Sequence, residues 1–359
     1  MMATMRDVAA LAGVSAKTVS RVLNQDPHVR SSTREVVETA MRQLDYVPNT
    51  LATTFRSGRS PVIGVAVPDI VDPFFAAIVR AVERIALARD MSTLVTTLGD
   101  DPTRERSVLE SLLRRQLGGL IVAPIGTDYS YLKPWGSRTP LVFVDRSPGR
   151  LPFDSFVEDD YRGAFDGANH LLHHGHRRVA FLGDSPTLTT TSARFAGYAA
   201  ALSEAGIPAD EALYAFGADS RGGAEEALER LLGLPEPPTA VFSSNARCTI
   251  SVLPCLPRTR LALVGFGDFP LADLVCPPIT VVAQDPEQLG TLAAGRVFDR
   301  LGHPHRRFRR RTVLPVHLIE RLSCVGSAEP ETLESEPAAT SPSDFRTSST
   351  TAFERKAAG

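Results

Sequence analysis

A short segment near the amino terminus carries polar side chains at positions i, i+3, i+4 and i+7, which share one face of a helix. They are Lys17, Ser20, Arg21 and Asn24. Ammonium and guanidinium groups can donate hydrogen bonds to guanine, and a serine hydroxyl is a short polar group that suits several bases. This face therefore has the chemistry to contact base edges in the major groove of DNA.

The neighbouring residues predict the helices and the turn that would position this face. Thr4 is a good N-cap, and Asp7 completes a capping-box variant for a first helix. Gly13 ends that helix, and Ser15 begins a second helix that runs to about Leu23. Two helices joined by a tight turn with glycine form the helix-turn-helix motif, whose second helix enters the major groove.

A third helix and the local charge support the same interpretation. Ser32 and Glu35 form a capping box, and Val36 opens the predicted buried face. Pro48 ends the unit. The whole chain has a formal charge of −2, whereas residues 1–60 hold eight Lys/Arg and five Asp/Glu. Any DNA binding therefore depends on a local basic surface.

The middle of the chain alternates short apolar runs with helical patterns. The runs are 62–67, 94–98, 119–123, 141–144, 179–182, 240–242 and 261–264. They lack alternation, so they predict parallel strands covered by helices on both faces, in two sheets. Ligands bind beyond the carboxyl ends of such strands, which directs attention to the loops after Val67, Leu98, Phe242 and Val264.

Composition excludes several classes of protein. Hydrophobic residues make up 43% and charged residues 22% of the 359 residues, as in globular proteins. The four cysteines form no CxxC pair, which argues against a zinc ribbon or a disulfide scaffold. No apolar run is long enough to span a bilayer, and charges interrupt the amino terminus where a secretory signal is apolar. We therefore expect a cytoplasmic protein without a membrane partner.

Signatures of catalysis and of metal binding are weak. His170 and His174 are spaced i, i+4 but have no acidic partner in the form H-E-x-x-H, although His173 and His176 lie nearby. The chain contains no G-x-S-x-G, Walker A or G-x-G-x-x-G motif. The sequence therefore predicts no enzyme, no metal site and no cofactor.

A set of residues at fixed spacing carries a resemblance to a known family. The set comprises Arg6-Asp7-Val8-Ala9, Ala12-Gly13-Val14-Ser15, Thr18-Val19-Ser20-Arg21-Val22-Leu23-Asn24, Thr33-Arg34, Tyr46, Pro48-Asn49 and Ala52. It resembles the amino-terminal signature of the LacI/GalR family of bacterial transcription regulators, and the likeness continues to about Ser323.

This resemblance, together with the residue chemistry, implies a set of DNA contacts. They are Thr4, Ser15, Ala16, Lys17, Thr18, Ser20, Arg21, Asn24, His28, Ser31, Thr33, Tyr46, Asn49, Ala52 and Phe55. Thr4, Asn24, His28, Ser31 and Thr33 are the candidates for phosphate contacts, which fix the register of a protein on DNA.

The resemblance also implies a hinge helix over residues 49–57 that orders on DNA. In the family a hinge leucine inserts into the minor groove and kinks the duplex. Phe55 stands at that position here, and a phenyl ring can also wedge between base steps. The alternative is a linker residue that packs against the core.

Stretches of the core resemble the family's two-lobed body, which is similar to periplasmic sugar-binding proteins. Asp72-Pro73-Phe74-Phe75 resembles the first pocket loop, Arg194-Phe195-Ala196-Gly197 an R-x-x-G motif, and residues 265–270 the usual GFDD-x-P. The resemblance implies a polyol-like effector, bound by an aromatic face and by hydrogen-bonding groups. The implied contacts are Pro73, Phe74, Arg194, Asn245 and Asp268. The alternative for each is a structural role in the core or in a cap.

Two departures from the family pattern affect this pocket. Gly267 replaces the first acidic residue of GFDD, and Ala246 stands where an aspartate usually follows the asparagine. The segment 245–265 is also shorter than in the family, and Pro254 and Pro257 interrupt the helix expected there. We therefore expect a pocket that is altered, small or unused.

These observations predict an α/β protein in four parts: an N-terminal three-helix helix-turn-helix domain (1–48), a hinge (49–60), a two-lobed effector-binding and dimerisation core of parallel sheets covered by helices (61–324), and a disordered tail (325–359). The resemblance implies a transcription regulator, typically a repressor, that binds a palindromic double-stranded DNA operator as a homodimer and responds to a small carbohydrate-like effector. The alternatives are a solute-binding protein that feeds a transporter and a sugar- or nucleoside-processing enzyme.

Overall fold

The computed structural model describes residues 3–23, 26–46 and 60–324 of the chain. Some predicted features lie outside these residues: the tail, the hinge apart from Ser60, and the DNA contacts Asn24, Asn49, Ala52 and Phe55.

The amino-terminal head contains α1 (Met5–Leu11), α2 (Ala16–Leu23) and α3 (Ser31–Gln43). The capping box of Thr4 and Asp7 is present, and the Ser15 hydroxyl accepts a hydrogen bond from the Thr18 amide at 3.1 Å. Gly13 has a φ of +63°, a left-handed conformation that glycine adopts without steric cost. These features confirm the predicted helix-turn-helix.

The start of α3 differs from the prediction. The helix begins at Ser31 after an extended Arg30, and no side chain caps it, so the expected capping box of Ser32 and Glu35 is wrong. Val36 is 50% exposed, although it was expected in the buried face. The reason is that α3 packs on its neighbours through a narrow stripe that includes Val37, and the adjacent side chain falls outside it.

From residue 62 onward, the chain forms strands and helices, and most strands are followed by a helix. In chain order they are β1 (Val62–Val67), α4 (Pro73–Leu87), β2 (Ser92–Thr97), α5 (Pro102–Leu113), β3 (Gly119–Val122), β4 (Leu141–Val144), β5 (Asp154–Glu158), α6 (Asp160–His173), β6 (Val179–Leu182), α7 (Thr189–Glu204), β7 (Tyr214–Ala215), α8 (Arg221–Leu232), β8 (Ala240–Ser243), α9 (Ala246–Val252), β9 (Ala262–Phe266), β10 (Thr280–Ala283), α10 (Pro286–Gly302), β11 (Arg311–Leu314) and β12 (His317–Ile319).

The strands form two sheets, as the sequence predicted. The first has the order β11-β5-β4-β3-β1-β2 and is parallel throughout. The second has the order β12-β10-β9-β8-β6-β7 and is parallel except where β12 pairs with β10. Strands such as β1 and β8 are buried almost completely, because helices cover both faces of each sheet.

Each sheet and its helices form one lobe, and the chain crosses between the lobes more than once. Crossings occur between β5 and α6, between β10 and α10, and between β11 and β12. The Asp159 amide donates to the Leu314 carbonyl at 3.0 Å, and the Asp285 amide donates to Glu158 Oε1 at 3.1 Å. These hydrogen bonds join the crossing segments side by side beneath the space between the lobes.

Helix starts bring polar groups to the carboxyl ends of the strands. Asp72 caps α4 and Asp101 caps α5, each through its carboxylate and each followed by a proline. Proline is favourable at the first helical position because that residue's amide has no partner within the helix. No helix in residues 3–23, 26–46 or 60–324 is long and apolar enough to cross a membrane.

Helices α6 and α7 meet at Gly197, where no side chain fits. A β-carbon there would overlap the Tyr161 carbonyl oxygen and would lie 3.0 Å from the Phe165 amide nitrogen. We expect Gly197→Ala to lower the free energy of unfolding by about 1–3 kcal/mol, because the helices must separate. Urea denaturation measures this change.

The matched control is Gly295→Ala in α10. A β-carbon at Gly295 meets no atom within 4 Å. Alanine favours the helix there, so the free energy of unfolding should be unchanged or higher by up to about 1 kcal/mol. Equal destabilisation by the two substitutions would contradict the close contact at Gly197.

Candidate DNA-binding face and inter-lobe cleft

The second helix of the head presents two basic side chains to solvent. Lys17 and Arg21 are both exposed, and they lie one turn apart on α2. Arg21 Nε lies 3.5 Å from Asp26 Oδ2. A surface ion pair of this kind contributes little to stability, so the guanidinium can exchange Asp26 for another acceptor.

Ser20 does not share this face. Ser20 is only 5% exposed and is buried together with Val19 and Val22. Helix α2 packs against both α1 and α3, so a small side chain beside Val19 is enclosed between them. The expectation that Ser20 offers its hydroxyl from an exposed face with Lys17 is therefore wrong.

Other predicted DNA contacts already have partners within the head. Thr4 and Ser15 cap helices, and Thr18 Oγ1 lies 2.9 Å from Ser15 Oγ. His28 Nδ1 lies 3.1 Å from Asp26 Oδ1. These contacts orient the helix ends.

The remaining described contacts vary in exposure. Ala16 and Ser31 are exposed, Thr33 is half-buried, and Tyr46 packs against the apolar core of the head.

A cavity of about 570 Å³ lies between the carboxyl ends of the two sheets. This volume is within the usual range for sites that bind small molecules, so of the three expected outcomes, an altered, a small or an unused pocket, the small one is wrong. The loops after β1, β2 and β8 contribute to its lining, as the sequence predicted, whereas the loop after β9 does not. The charged lining residues are Asp72, Asp100, Asp145, Asp184, Asp219, Arg146, Arg194 and Arg247.

Arg194 lines this cavity from the buried base of the second lobe. Its Nε donates to Asp160 Oδ1 at 2.7 Å, and its Nη1 donates to the Ser244 carbonyl at 2.8 Å. The guanidinium carbon lies 3.9 Å from the centre of the Phe266 ring. Burial raises the pKa of Asp160 to about 6, and attraction to Arg194 opposes that rise. The side chain is thus a structural anchor that also reaches the cavity.

Asn245 lines the cavity, but both ends of its amide are engaged. Its oxygen accepts from the Cys248 amide at 2.8 Å and so caps α9, and its nitrogen donates to Asp184 Oδ2 at 2.9 Å. Thr191 also donates to Asp184. The side chain therefore positions Asp184, a lining residue that the sequence analysis did not select.

Arg247 links the two sides of the cleft. It donates to Asp219 in the second lobe, and its Nη1 lies 3.6 Å from Asp100 Oδ1 in the first. Arg146 in the first lobe donates to the Pro124 carbonyl at 2.8 Å, while its buried Nε has no hydrogen-bond partner among the described residues. Arg146 follows β4 in a loop, and Arg247 is the second residue of α9, shortly after β8. Their positions beyond strand ends were the available signal for finding them.

Phe74 lines the cavity, whereas Pro73 and Asp268 lie outside it. They line a shallower depression nearby, which Phe74 also borders. Asp268 accepts two hydrogen bonds from Arg321, at 3.1 and 2.7 Å. The structure therefore does not bring Asp268 together with Arg194 and Asn245.

Gly267 lies where the family has an acidic residue. Its φ is +87°, and a β-carbon there would lie 2.9 Å from Gln284 Oε1 and 3.4 Å from Ala246 Cβ. Both neighbours line the cavity. Glycine at this position therefore leaves room at the cavity wall that a side chain would fill.

Glu158 is a buried carboxyl group at the crossing between the lobes. It accepts hydrogen bonds from the Gln284 amide nitrogen and from the Asp285 backbone. Burial and the nearby Asp145 raise the pKa of Glu158 to about 8. The folded protein thus holds a proton that the unfolded chain releases above its ordinary pKa of 4.5. The stabilisation of the folded state by the protonated Glu158 carboxyl group is complete below about pH 4.5 and is lost as the pH rises towards 8.

We expect Glu158→Gln to remove this part of the pH dependence. The difference in free energy of unfolding between variant and parent should grow in favour of glutamine from pH 5 to 8, by at most about 1.4 kcal/mol per pH unit. Urea denaturation across this range measures the difference. Glu83→Gln, at an exposed position, is the control and should leave the slope unchanged. A constant difference between Glu158→Gln and the parent would contradict the prediction.

Two protein-family models match this chain, one in the head and one in the two-lobed body. The model of bacterial regulatory proteins of the lacI family matches residues 4–49, and that of a periplasmic binding protein-like domain matches residues 168–324. The ribose operon repressor of Escherichia coli K12 is 30% identical over 328 residues, which cover 89% of this chain and 99% of that protein. The regulator DegA of Bacillus subtilis is 32% identical, over 90% of this chain and 98% of its own length.

Solved structures agree with these sequence matches. The lac repressor dimer bound to operator and the anti-inducer ONPF has a TM-score of 0.79 and 26% identity, covering 91% of this chain and 100% of that one. A LacI family regulator from Enterococcus faecium with bound ribose has a TM-score of 0.67 and 26% identity, covering 74% and 100%.

The fold and the cleft define the class of this protein. A two-lobed body of the periplasmic-binding-protein type and a helix-turn-helix head occur in one chain, as in ligand-responsive DNA-binding regulators. The relatives match over about nine-tenths of the chain, and the chain belongs to the lacI family of bacterial regulatory proteins. These relatives are regulators, which confirms the prediction that the protein is not an enzyme.

Proposed function

We propose that this protein represses transcription by binding a palindromic DNA operator as a homodimer, under the control of a neutral carbohydrate-like effector. In this proposal, residues 1–48 bind DNA, 49–60 form the hinge, and 61–324 bind the effector and dimerise. One observation carries it: a helix with exposed Lys17 and Arg21 occurs in the same chain as an inter-lobe cavity of about 570 Å³.

The DNA side of the proposal follows from the geometry of paired helices. Two copies of α2 in a dimer reach half-sites about one helical turn apart, which requires a palindrome. Lys17 and Arg21 contact guanine edges, and exposed polar side chains at helix ends, such as Ser31, contact phosphates. Phe55 wedges between base steps at the centre of the site.

The effector side follows from the charges of the cleft. Five aspartates and three arginines line it, and each arginine already lies beside a carboxylate. Among the described lining residues, an anionic ligand such as a sugar phosphate would meet more carboxylates than cations, and every arginine already lies beside a carboxylate, so like charges repel. Carboxylates accept hydrogen bonds well from hydroxyl groups, so a neutral polyol fits the site. Ribose bound to a similar regulator supports a ligand of that size.

Effector control requires only a modest coupling energy. A ligand that contacts both lobes, for example near Phe74 in the first and Arg194 in the second, changes the balance between open and closed arrangements. The crossing segments at Glu158 and Asp285 bend in that change. A coupling free energy of about 1–3 kcal/mol alters operator affinity about 5- to 150-fold.

The test selects genomic DNA fragments with purified full-length protein at about 150 mM salt, where non-specific phosphate binding is weak. We expect enrichment of one palindrome. Its affinity is then measured with a panel of neutral sugars and with the corresponding sugar phosphates. A neutral sugar should change the affinity in one direction, and its phosphate should not. A response to phosphates alone, or no enriched palindrome, would contradict the proposal.

A further inference from the structure

Four metal-binding side chains converge at the carboxyl end of α6. They are His170, His174, Glu320 and Cys324, and their donor atoms all lie within 4.8 Å of one another. His174 Nε2 lies 3.5 Å from Cys324 Sγ and 3.7 Å from Glu320 Oε1. The rings of the two histidines are 4.6 Å apart between centroids.

The local fold fixes these residues from two directions. His170 lies in the last turn of α6 and His174 is the C-cap residue four positions later, so both imidazoles lie on one face of the helix end. Glu320 and Cys324 follow β12, about 150 residues later in the chain. His176 holds this segment in place, because its Nε2 lies 3.2 Å from the Cys324 carbonyl oxygen. Cys324 itself is fully buried.

The donor set and its spacing suit a zinc-type ion. Zinc takes thiolate, imidazole and carboxylate ligands in a tetrahedron with bonds of about 2.0–2.3 Å, which separates neighbouring donors by about 3.3–3.7 Å. The distances of 3.5 Å from His174 Nε2 to Cys324 Sγ and of 3.7 Å to Glu320 Oε1 fall in or at the edge of this range. A cation is also favoured at the carboxyl end of a helix, where the last carbonyl groups carry partial negative charge.

His170 provides a second observation that points to a ligand. Its Nε2 is buried and has no hydrogen-bond partner among the described residues. A buried polar atom without a partner is costly, and a bound metal ion would satisfy it.

We propose that His170, His174, Glu320 and Cys324 bind one divalent zinc-type metal ion that joins the end of α6 to the segment after β12. The four protein ligands close the coordination sphere, as in structural sites. The site lies in the second lobe and uses no residue of the effector cleft. Its role is to fix the last described turn of the lobe against the helix.

Cobalt is the probe, because its absorption spectrum reports the ligands. Metal-depleted full-length protein is titrated with Co²⁺ under reducing conditions. We expect one ion per chain, with the visible bands of tetrahedral cobalt and a thiolate-to-cobalt charge-transfer band. Cys324→Ser should abolish the charge-transfer band and weaken binding at least about tenfold. Added Zn²⁺ should displace the cobalt, since zinc prefers such sites.

Matched variants separate the proposed site from other histidines and thiols. His173→Ala and Cys276→Ser change exposed residues outside the cluster and should leave the cobalt spectrum unchanged. Glu320→Gln and His174→Gln change ligands with exposed surface, so they should fold and still bind cobalt more weakly. Circular dichroism establishes that each variant is folded.

Thermal denaturation provides a readout that does not depend on cobalt. Zn²⁺ should raise the melting temperature of the parent and of the two control variants, but not that of Cys324→Ser, because an ion that binds the folded state stabilises it. A charge-transfer band that persists in Cys324→Ser, or a parent protein without one, would overturn the proposal.

Discussion

Arg194→Met is expected to lower the free energy of unfolding of the core by about 3–5 kcal/mol at neutral pH. The substitution removes the guanidinium from Asp160, the Ser244 carbonyl and the Phe266 ring, at 2.7, 2.8 and 3.9 Å. Asp160 is only 9% exposed, so its carboxylate cannot recover full hydration. A buried charge without its partner is among the most destabilising changes that one substitution causes.

A double-mutant cycle distinguishes this ion pair from simple loss of packing. Adding Asp160→Leu removes the unpaired carboxylate, so the double variant should recover at least about 2 kcal/mol relative to Arg194→Met alone. Urea denaturation of the parent, both single variants and the double variant gives the coupling energy. If the losses simply added, the interaction between Arg194 and Asp160 would not be the main contribution of this arginine.

The second large effect concerns DNA. We expect replacement of both Lys17 and Arg21 by alanine to weaken binding to the selected palindrome about 30- to 10⁴-fold, because each base contact contributes about 1–3 kcal/mol of discrimination. Both side chains are exposed, so the variant should fold normally. Fluorescence anisotropy at a fixed salt concentration measures the affinities for the palindrome and for a scrambled duplex.

Arg42→Ala is the control for loss of positive charge. Arg42 is exposed in the last turn of α3, where it donates to Thr39. Removing the Arg42 side chain should weaken binding to the palindrome and to the scrambled duplex by a similar small factor. The ratio of the two affinities should therefore stay unchanged. If the Lys17 and Arg21 double variant also left that ratio unchanged, α2 would not be the helix that reads the sequence.

Short-range patterns in the sequence were sufficient for the fold class and for most elements. The caps at Thr4 and Ser15 depend on residues three positions away, and the turn depends on the backbone freedom of Gly13. Central apolar strands such as β1 are buried almost completely, and this burial is already visible in their composition, whereas the edge strand β2 is partly exposed. Some strands escaped prediction: β7 has only two residues, and β5 contains three polar residues among its five. Such segments carry too little periodicity to be recognised.

The position of the cleft was predictable from the sequence, but only some of the residues that line it were. The rule that ligands lie beyond strand ends led to the correct loops after β1, β2 and β8. It could not predict the partners of Arg247, because the link to Asp100 joins residues from different lobes. The family resemblance predicted Asp268 as an effector contact, but its carboxylate accepts hydrogen bonds from Arg321, which lies 53 positions later in the chain. Partners at such separations depend on the packing of whole elements.

By itself, the sequence determined a helix-turn-helix head followed by two parallel sheets covered by helices, because caps, turns and buried strands depend on neighbours within about four residues. Only the tertiary structure decided which polar groups meet. It enclosed Ser20 between helices, paired Arg194 with Asp160, and brought Cys324 to His174 from 150 positions away. Those contacts arise when separate elements pack together, and no local pattern in the chain records them.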